Sequence, residues 1–434
     1  MRDVLRSAPR ILFISPQPFM ADRGSPLRVK NTVEVITSFG FEVDLLSYPL
    51  GSDVCINGVR IYRGFKIPLV KKVPIGPSFR KCALDLALFF RAMSLPRKNA
   101  YVAIHGIEEA AIIAATLARK HEIPYFMDMH SAMREQLEKS RFYGSPPIVQ
   151  RFDKIEAWCI RNSSGVVTVA DAMTERSRSI APKVPAYTAT DLPFSSEVPH
   201  TSYLESRIRR ELNLDDAKLM LYTGNLASYQ GIEFLIRAFA NYCSRQSETA
   251  CDKQKKRVVL AIVGGGTEEE RTLLSYMALA QKLGVADDVR FLGFKPSSEV
   301  PHYLQVADIL VSPRLSGSNT PLKIYSYMAA EKPILASRIL SHTQVLSDEC
   351  SYLFDLDEES FCEALTQSLD SSAIAFARRK QLIQKSKELV ETRFGFANFR
   401  QALYELYKPI MHLVDVEALS SFDNSQQVAY ASES

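Results

Sequence analysis

Short apolar runs alternate with segments of helical periodicity through two successive blocks of the chain, and this alternation limits the fold more than any other feature. In the first block, residues 11–14, 43–46, 101–104, 124–127 and 165–169 read as strands. Helices are predicted over about 26–39, 84–93, 108–120 and 148–161, with another near Met173. The second block repeats the pattern, with strands at 219–222, 258–263, 289–291 and 309–311 and helices at 231–242, 268–283 and 300–307. Strands joined through helices of this length pair in parallel, and both faces of such sheets are covered. Residues 54–62, turned at Asn57-Gly58, are the exception and read as a hairpin.

Between the blocks, Pro182, Pro185, Pro193 and Pro199 and the Ser-rich run 188–202 mark a linker. The expected organisation is an α/β chain of two doubly wound, Rossmann-like domains, 1–195 and 196–392, followed by a helix at 393–413. The polar, Ser-rich segment 414–434 is expected to be disordered. With 434 residues, 46% of them hydrophobic, there is core enough for two or three domains. A net charge of +4 is small for this length, so nucleic acid is not an expected partner. Seven cysteines without a Cys-x-x-Cys pair point to a reducing compartment and free thiols. No apolar stretch reaches eighteen residues, so a cytoplasmic protein is expected, at most peripheral to the inner face of the membrane. The basic, proline-rich region 66–81 reads as a solvated loop before a core helix, or as a lip touching anionic lipid or a lipid-linked acceptor. The basic insertion 245–257 reads as a surface loop.

The most informative local stretch is 316–333, where a small polar loop runs into an apolar helix carrying one early lysine, Lys323. Pro321 suits an early helical position, and Asn319 or Thr320 can cap. A helix start of this kind is an anion site, with Lys323 beside the bound anion; an ordinary capped helix is the plainer reading. Gly24, just before the first helix, either lets a phosphate approach the backbone or serves only as a turn. Asp128 and His130 follow the fourth strand, where open α/β sheets place their ligand crevice. No His/Cys cluster has metal-ligand spacing, so no metal site is expected.

The string Asn319-Thr-Pro-Leu-Lys-Ile-Tyr-Ser-Tyr-Met-Ala, with Lys332-Pro-Ile-Leu-Ala-Ser after it, resembles the donor-site signature of the family 4 glycosyltransferases, retaining enzymes of the GT-B fold. The resemblance implies two Rossmann-like domains facing across a cleft, with the last helix crossing back to the first domain. It implies a nucleotide-diphosphate sugar as donor and a saccharide or lipid-linked acceptor, with no further cofactor. Tyr222-Thr-Gly-Asn-Leu226 and Gln230-Gly231 resemble the Gly-Arg...Lys-Gly segment that holds the donor diphosphate, with Asn225 and Gln230 in the charged positions. Gly264-Gly265-Gly266 matches the next glycine turn, although a plain turn explains it equally well. The family's paired glutamates fall on Ser318 and Ser326.

On this resemblance the donor would be held by Gly24, Gly224, Asn225, Gln230, Gly265, Ser318, Asn319, Thr320, Pro321, Leu322, Lys323 and Ser326. Arg28, Asp128 and His130 would form the acceptor side, and His130 and Lys323 would act in the transfer. Four family charges are neutral here, so ionic grip on the diphosphate would rest on Lys323, helix N-termini and Arg28. The alternative is a non-catalytic sugar- or nucleotide-binding partner of another transferase.

Overall fold

The computed structural model describes residues 8–20, 24–52, 54–68, 70, 73, 78–95, 100–131, 133–138, 144–193, 202–248, 256–266 and 269–414. The chain divides into two compact units, Met1–Asp191 with Phe396–Ser434, and Leu192–Gly395.

Unit 1 opens with β1 (Arg10–Ser15), α1 (Gly24–Ser38), β2 (Glu42–Ser47), β3 (Val59–Arg63) and α2 (Phe79–Ser94). It continues with β4 (Ala103–Ile107), α3 (Ala110–His121), β5 (Tyr125–Met129), α4 (Met133–Glu138), α5 (Pro146–Arg161), β6 (Gly165–Thr168), α6 (Asp171–Ile180) and β7 (Ala186–Thr188). All seven strands pair in parallel, in the order β3-β2-β1-β4-β5-β6-β7. Ile11, Leu12, Phe13 and Ile14 of β1 are fully buried, as a central strand covered on both faces requires.

Unit 2 runs α7 (Ser202–Glu211), β8 (Lys218–Thr223), α8 (Ile232–Glu248), β9 (Val258–Val263), α9 (Glu270–Lys282), β10 (Val289–Gly293) and α10 (Val300–Val306). Then come β11 (Ile309–Ser312), α11 (Leu322–Ala329), β12 (Ile334–Ser337), α12 (Leu340–Thr343), β13 (Tyr352–Phe354), α13 (Glu358–Leu369) and α14 (Ala373–Thr392). Its six parallel strands are ordered β10-β9-β8-β11-β12-β13. The last helix, α15 (Phe396–Tyr407), belongs to unit 1, where it packs on α1, β6 and β7.

Each sheet reverses its strand order once, between β1 and β4 in unit 1 and between β8 and β11 in unit 2. Loops leaving the carboxyl ends of the strands on either side of a reversal diverge, which opens a crevice there. Both units are therefore Rossmann-like.

Several expectations change. Residues 54–62 form no hairpin, because β3 pairs with β2 in parallel, Val43 opposite Val59, and Gly58 O accepts from Val43 N at 2.9 Å. The Asn57-Gly58 turn lies at the head of β3, and no strand precedes it after β2 among the described residues. Helix α2 begins at Phe79, because Ser78 caps it by accepting from Lys81 N at 3.2 Å, so Arg80 and Lys81 stand on the helix and not in the loop before it. Residues 69, 71–72 and 74–77 of the basic region lie outside the described residues, as do 249–255 of the second insertion and all of 414–434 except Val414. The fourth strand of the first block ends at Met129, so Asp128 lies within it. Six of the seven cysteines are described, and all six are free thiols. Among the described residues no helix is long and apolar enough to cross a membrane.

Candidate functional site

At the unit 2 reversal, β8 delivers Tyr222, Thr223 and Gly224, β11 delivers Ser312 and Arg314, and α11 delivers Lys323. Helix α11 is buried along most of its length, with Ile324, Tyr325, Tyr327 and Met328 all at 1% exposure or less. That burial fixes where Lys323 enters. Its side chain is 8% exposed, with Nζ 3.1 Å from Gln230 Oε1 and 3.8 Å from the Tyr222 ring centre. Gly224 admits it: a Cβ there would meet Lys323 Nζ at 2.9 Å, and the φ of +140° is one that side chains rarely adopt. Burial, and then the neighbouring Arg314, hold the Lys323 ammonium well below its ordinary pKa, and among the described residues no carboxylate acts against them.

Arg314, which sequence reasoning did not single out, is 6% exposed. Its guanidinium donates to Ser316 O at 2.8 Å, Asn319 O at 3.2 Å and Asn319 Oδ1 at 2.9 Å, and lies over the Tyr229 ring at 5.3 Å. The only signal was an arginine two residues beyond a buried strand, at the end of the sheet where ligands bind. A buried histidine braces this loop. His342 Nε2 lies 3.0 Å from Ser312 Oγ and its Nδ1 lies 2.8 Å from Ser337 O, while Ser337 Oγ donates to Arg314 O. Burial pushes His342 down to about 3, so the ring is neutral, Nδ1–H donates to the Ser337 carbonyl, and Nε2 accepts from Ser312.

The other expected donor residues occupy distinct places. Pro321 precedes α11 with φ −65° and ψ 137°, as its N-cap and not as a helical residue. Neither Asn319 nor Thr320 caps the helix. Asn319 Oδ1 is taken by Arg314, and Thr320, 2% exposed, has a buried Oγ1 without a hydrogen-bond partner. Leu322 opens the helix, and Ser326 is buried in its second turn at 3% exposure. Ser318 O accepts from Gln344 Nε2 at 2.6 Å. Gln230 closes a 3-10 turn, Ser228–Gln230, and its amide oxygen meets Lys323. Asn225 Oδ1 accepts from Ala227 N at 3.2 Å and so fastens its own turn. Gly265 packs beside Leu226. An Asp-x-Asp pair, Asp355-Leu356-Asp357, is structural: Asp357 caps α13 by accepting from Ser360 N at 2.8 Å.

At the unit 1 reversal, Arg28 from α1 reaches the end of β5. Its guanidinium donates to Asp128 Oδ1 at 3.3 Å, Asp191 Oδ1 at 3.2 Å, Ala189 O at 2.7 Å and His130 Nε2 at 3.2 Å. His130 Nε2 also lies 3.3 Å from Asp128 Oδ2. Burial acts to raise the Asp128 carboxyl, but Arg28 and His130 outweigh it and hold Asp128 well below the usual carboxylate range. Burial acts to lower His130; Asp128 outweighs it, and the imidazole is held above its ordinary pKa. Helix α15 completes the group: Tyr407 OH shares a 2.7 Å hydrogen bond with His105 Nδ1, and the Phe399 ring lies 5.5 Å beneath the Arg28 guanidinium. Arg28, Asp128 and His130 are thus brought together as one charged group, while Gly24 stands at the start of α1. Among the described residues no His/Cys/Asp/Glu group has the arrangement of a metal site.

Both units match known protein families. Residues 205–389 match the family of glycosyl transferases group 1, and residues 23–188 match the glycosyl transferase 4-like domain. The first match contains Arg314 and Lys323, and the second contains Arg28, Asp128 and His130. An uncharacterized glycosyltransferase of Methanocaldococcus jannaschii is 23% identical over 90% of this chain and 95% of its own length. The D-inositol 3-phosphate glycosyltransferase of Corynebacterium aurimucosum is 28% identical over 50% of this chain and 49% of its own length. Among solved structures, sucrose-phosphate synthase of Thermosynechococcus elongatus shares the fold with TM-score 0.72 at 20% identity, covering 93% of this chain and 99% of that one. Anabaena HepE, in complex with UDP and glucose, does so with TM-score 0.68 at 13% identity, covering 93% and 100%. With a glycosyltransferase family matched on each of two Rossmann-like units, the chain is a GT-B glycosyltransferase related to the group 1 and 4-like families.

Proposed function

We propose that the chain is a retaining glycosyltransferase that moves a sugar from a nucleoside-diphosphate donor held by unit 2 to a saccharide or lipid-linked acceptor met by unit 1. The observation that carries this reading is Lys323, a buried lysine that no carboxylate among the described residues offsets, with a buried arginine as its electrostatic neighbour. A pair of cations is costly to bury and is retained where an anion arrives to offset it. A diphosphate at the uncapped start of α11 supplies that charge and gains the helix dipole as well. Relatives support the donor class, since HepE was crystallised with UDP-glucose.

In the reaction, the bond between the anomeric carbon and the diphosphate oxygen breaks while the acceptor oxygen bonds to the same face of that carbon. The leaving phosphate takes the acceptor's proton, and no protein nucleophile is needed. Negative charge grows on the diphosphate, so Lys323, Arg314 and the α11 N-terminus stabilise the transition state more than the bound donor. Thr320 Oγ1 is a further hydrogen-bonding group at that end of the helix. His130, oriented by Asp128 and Arg28, offers Nδ1 to the acceptor. A lipid-linked acceptor is supported by α2, whose outward side carries Phe79 at 76%, Leu86 at 56% and Phe90 at 57% exposure beside the exposed Arg80.

Incubation with UDP-, GDP- and ADP-sugars, with and without candidate acceptors, tests the reading through released nucleotide and through the anomeric configuration of the product by NMR. Turnover should persist in EDTA, because Lys323 and Arg314 supply the neutralising charge. Tight nucleotide binding with no transfer to any acceptor would instead indicate a non-catalytic partner of another transferase.

A further inference from the structure

Beside the Arg28, Asp128 and His130 group, a second cluster of ionisable side chains lies at the same edge of the unit 1 sheet. Glu108 and Glu109 follow β4, Tyr48 follows β2, and Lys81 and Asp85 stand on α2. Ser131, the residue after His130, donates from Oγ to Glu108 Oε1 at 2.6 Å, and Glu108 N donates to Asp128 O at 2.9 Å. Lys81 pairs with Glu109, and Tyr48 OH donates to Asp85 Oδ1. Three carboxyl groups therefore surround one ammonium. Their crowding appears in their ionisation: burial and then Glu109 push Asp85 up to about 7, and the same two causes raise Glu108. Glu108 is also held at φ +47°, a strained conformation for a residue with a side chain.

An independent observation points to a ligand. His130 is 7% exposed, its Nδ1 is buried without a hydrogen-bond partner, and it lies within electrostatic reach of Glu108. Because Nε2 is the atom beside Arg28 and Asp128, Nδ1 is directed away from that pair. Arg28 is already shared between Asp128, Asp191 and the Ala189 carbonyl. A ligand arriving at His130 from the β4 side thus meets carboxylates.

On the transfer reading above, we propose that Glu108 and Glu109 recognise the acceptor by accepting hydrogen bonds from its hydroxyl or ammonium groups, and that they exclude acceptors bearing a phosphate beside the attacked hydroxyl. Carboxyl oxygens accept hydrogen bonds from a sugar diol or a protonated amine, whereas a phosphate, itself an array of acceptors, is poorly matched to a cluster of three carboxyl groups around one ammonium. Any lipid or phosphate linkage of the acceptor lies away from this cluster.

The test is the affinity of the whole protein for matched probes, measured by calorimetry: glucose, mannose and galactose, each with its 2-amino and 6-phosphate forms. In at least one series the amine and the parent sugar should bind at least tenfold more tightly than the phosphate. Glu108→Gln and Glu109→Gln should narrow that gap to below threefold while nucleotide affinity stays unchanged. The proposal is overturned if no series shows the phosphate form binding more weakly than its parent, if nothing in the panel binds, or if well-folded variants leave the gap unmoved. The order in the parent protein needs no variant, so a misfolded substitution does not protect the idea. If the probe order holds but no nucleotide sugar binds, the transferase reading falls and the subsite stands; the reverse result removes the subsite alone.

Discussion

Lys323 Nζ rests 3.1 Å from Gln230 Oε1, an amide oxygen that accepts from the lysine but brings no charge to it. The lysine sits over the Tyr222 ring, beside Arg314, and burial holds it well below its ordinary pKa. This relationship makes the donor site sensitive to protons.

A bound diphosphate raises the Lys323 pKa back toward the ordinary lysine value of about 10.4. Between the lowered value in the free protein and the restored value in the complex, binding takes up one proton. Donor affinity should then fall as pH rises through that window, by up to about tenfold per pH unit, and be flat below it. Calorimetry in buffers of different ionisation enthalpy should show uptake approaching one proton, and Lys323→Met should abolish it. No net uptake at any pH would mean that the lysine keeps its charge in the free protein.

His342 gives a stability signature of its own. Burial lowers its pKa to about 3, whereas in the unfolded chain it returns to about 6.5. Between these values the unfolded state binds the extra proton, so stability falls as pH falls, by at most about 1.4 kcal/mol per unit. His342→Asn should flatten this part of the pH dependence of chemical denaturation. It should also weaken donor binding, because Ser312 and the Arg314 carbonyl lose their brace; a variant with normal donor affinity would reduce His342 to a packing residue.

His130→Ala should slow transfer while sparing nucleotide binding, because the residue belongs to unit 1 and its companions are Asp128 and Arg28. Asp128→Asn leaves Arg28 with less countercharge and should cost stability, about 3–5 kcal/mol by analogy with other broken buried ion pairs. Equilibrium denaturation read beside single-turnover transfer separates the two effects. Parallel losses in stability and nucleotide affinity for His130→Ala would argue against an acceptor-side role.

Legibility in the sequence followed the strength of the apolar signal. The strand 258–263 was readable because six apolar residues run without a break, and every one is buried. The three-residue strands β7 and β13 carry too few residues to stand out, and β12 was read only as part of a motif. Asp128 was placed after its strand because polar residues look like loop, whereas the sheet buries it beside Arg28. At the proposed donor site, Gln230 and Lys323 stand at motif positions, but their contact was not legible. Arg314 and His342 escaped because their roles depend on hydrogen bonds to backbone carbonyls brought close by β11, β12 and α12. The depth at which Lys323 is buried was not legible either.

The central claim is that Lys323 waits for the donor diphosphate as its counter-ion, and the most direct measurement compares nucleotide-sugar affinity and thermal stability in the parent, Lys323→Ala and Lys323→Met. Donor affinity should fall by about 2–4 kcal/mol in both variants, the loss typical when one stabilising group is removed from a preorganised site. Thermal stability of the Met variant should be unchanged or higher, because an uncompensated buried lysine destabilises the free protein and methionine fills similar space. Unchanged donor affinity in both variants would contradict the account and leave α11 a buried helix with no part in binding.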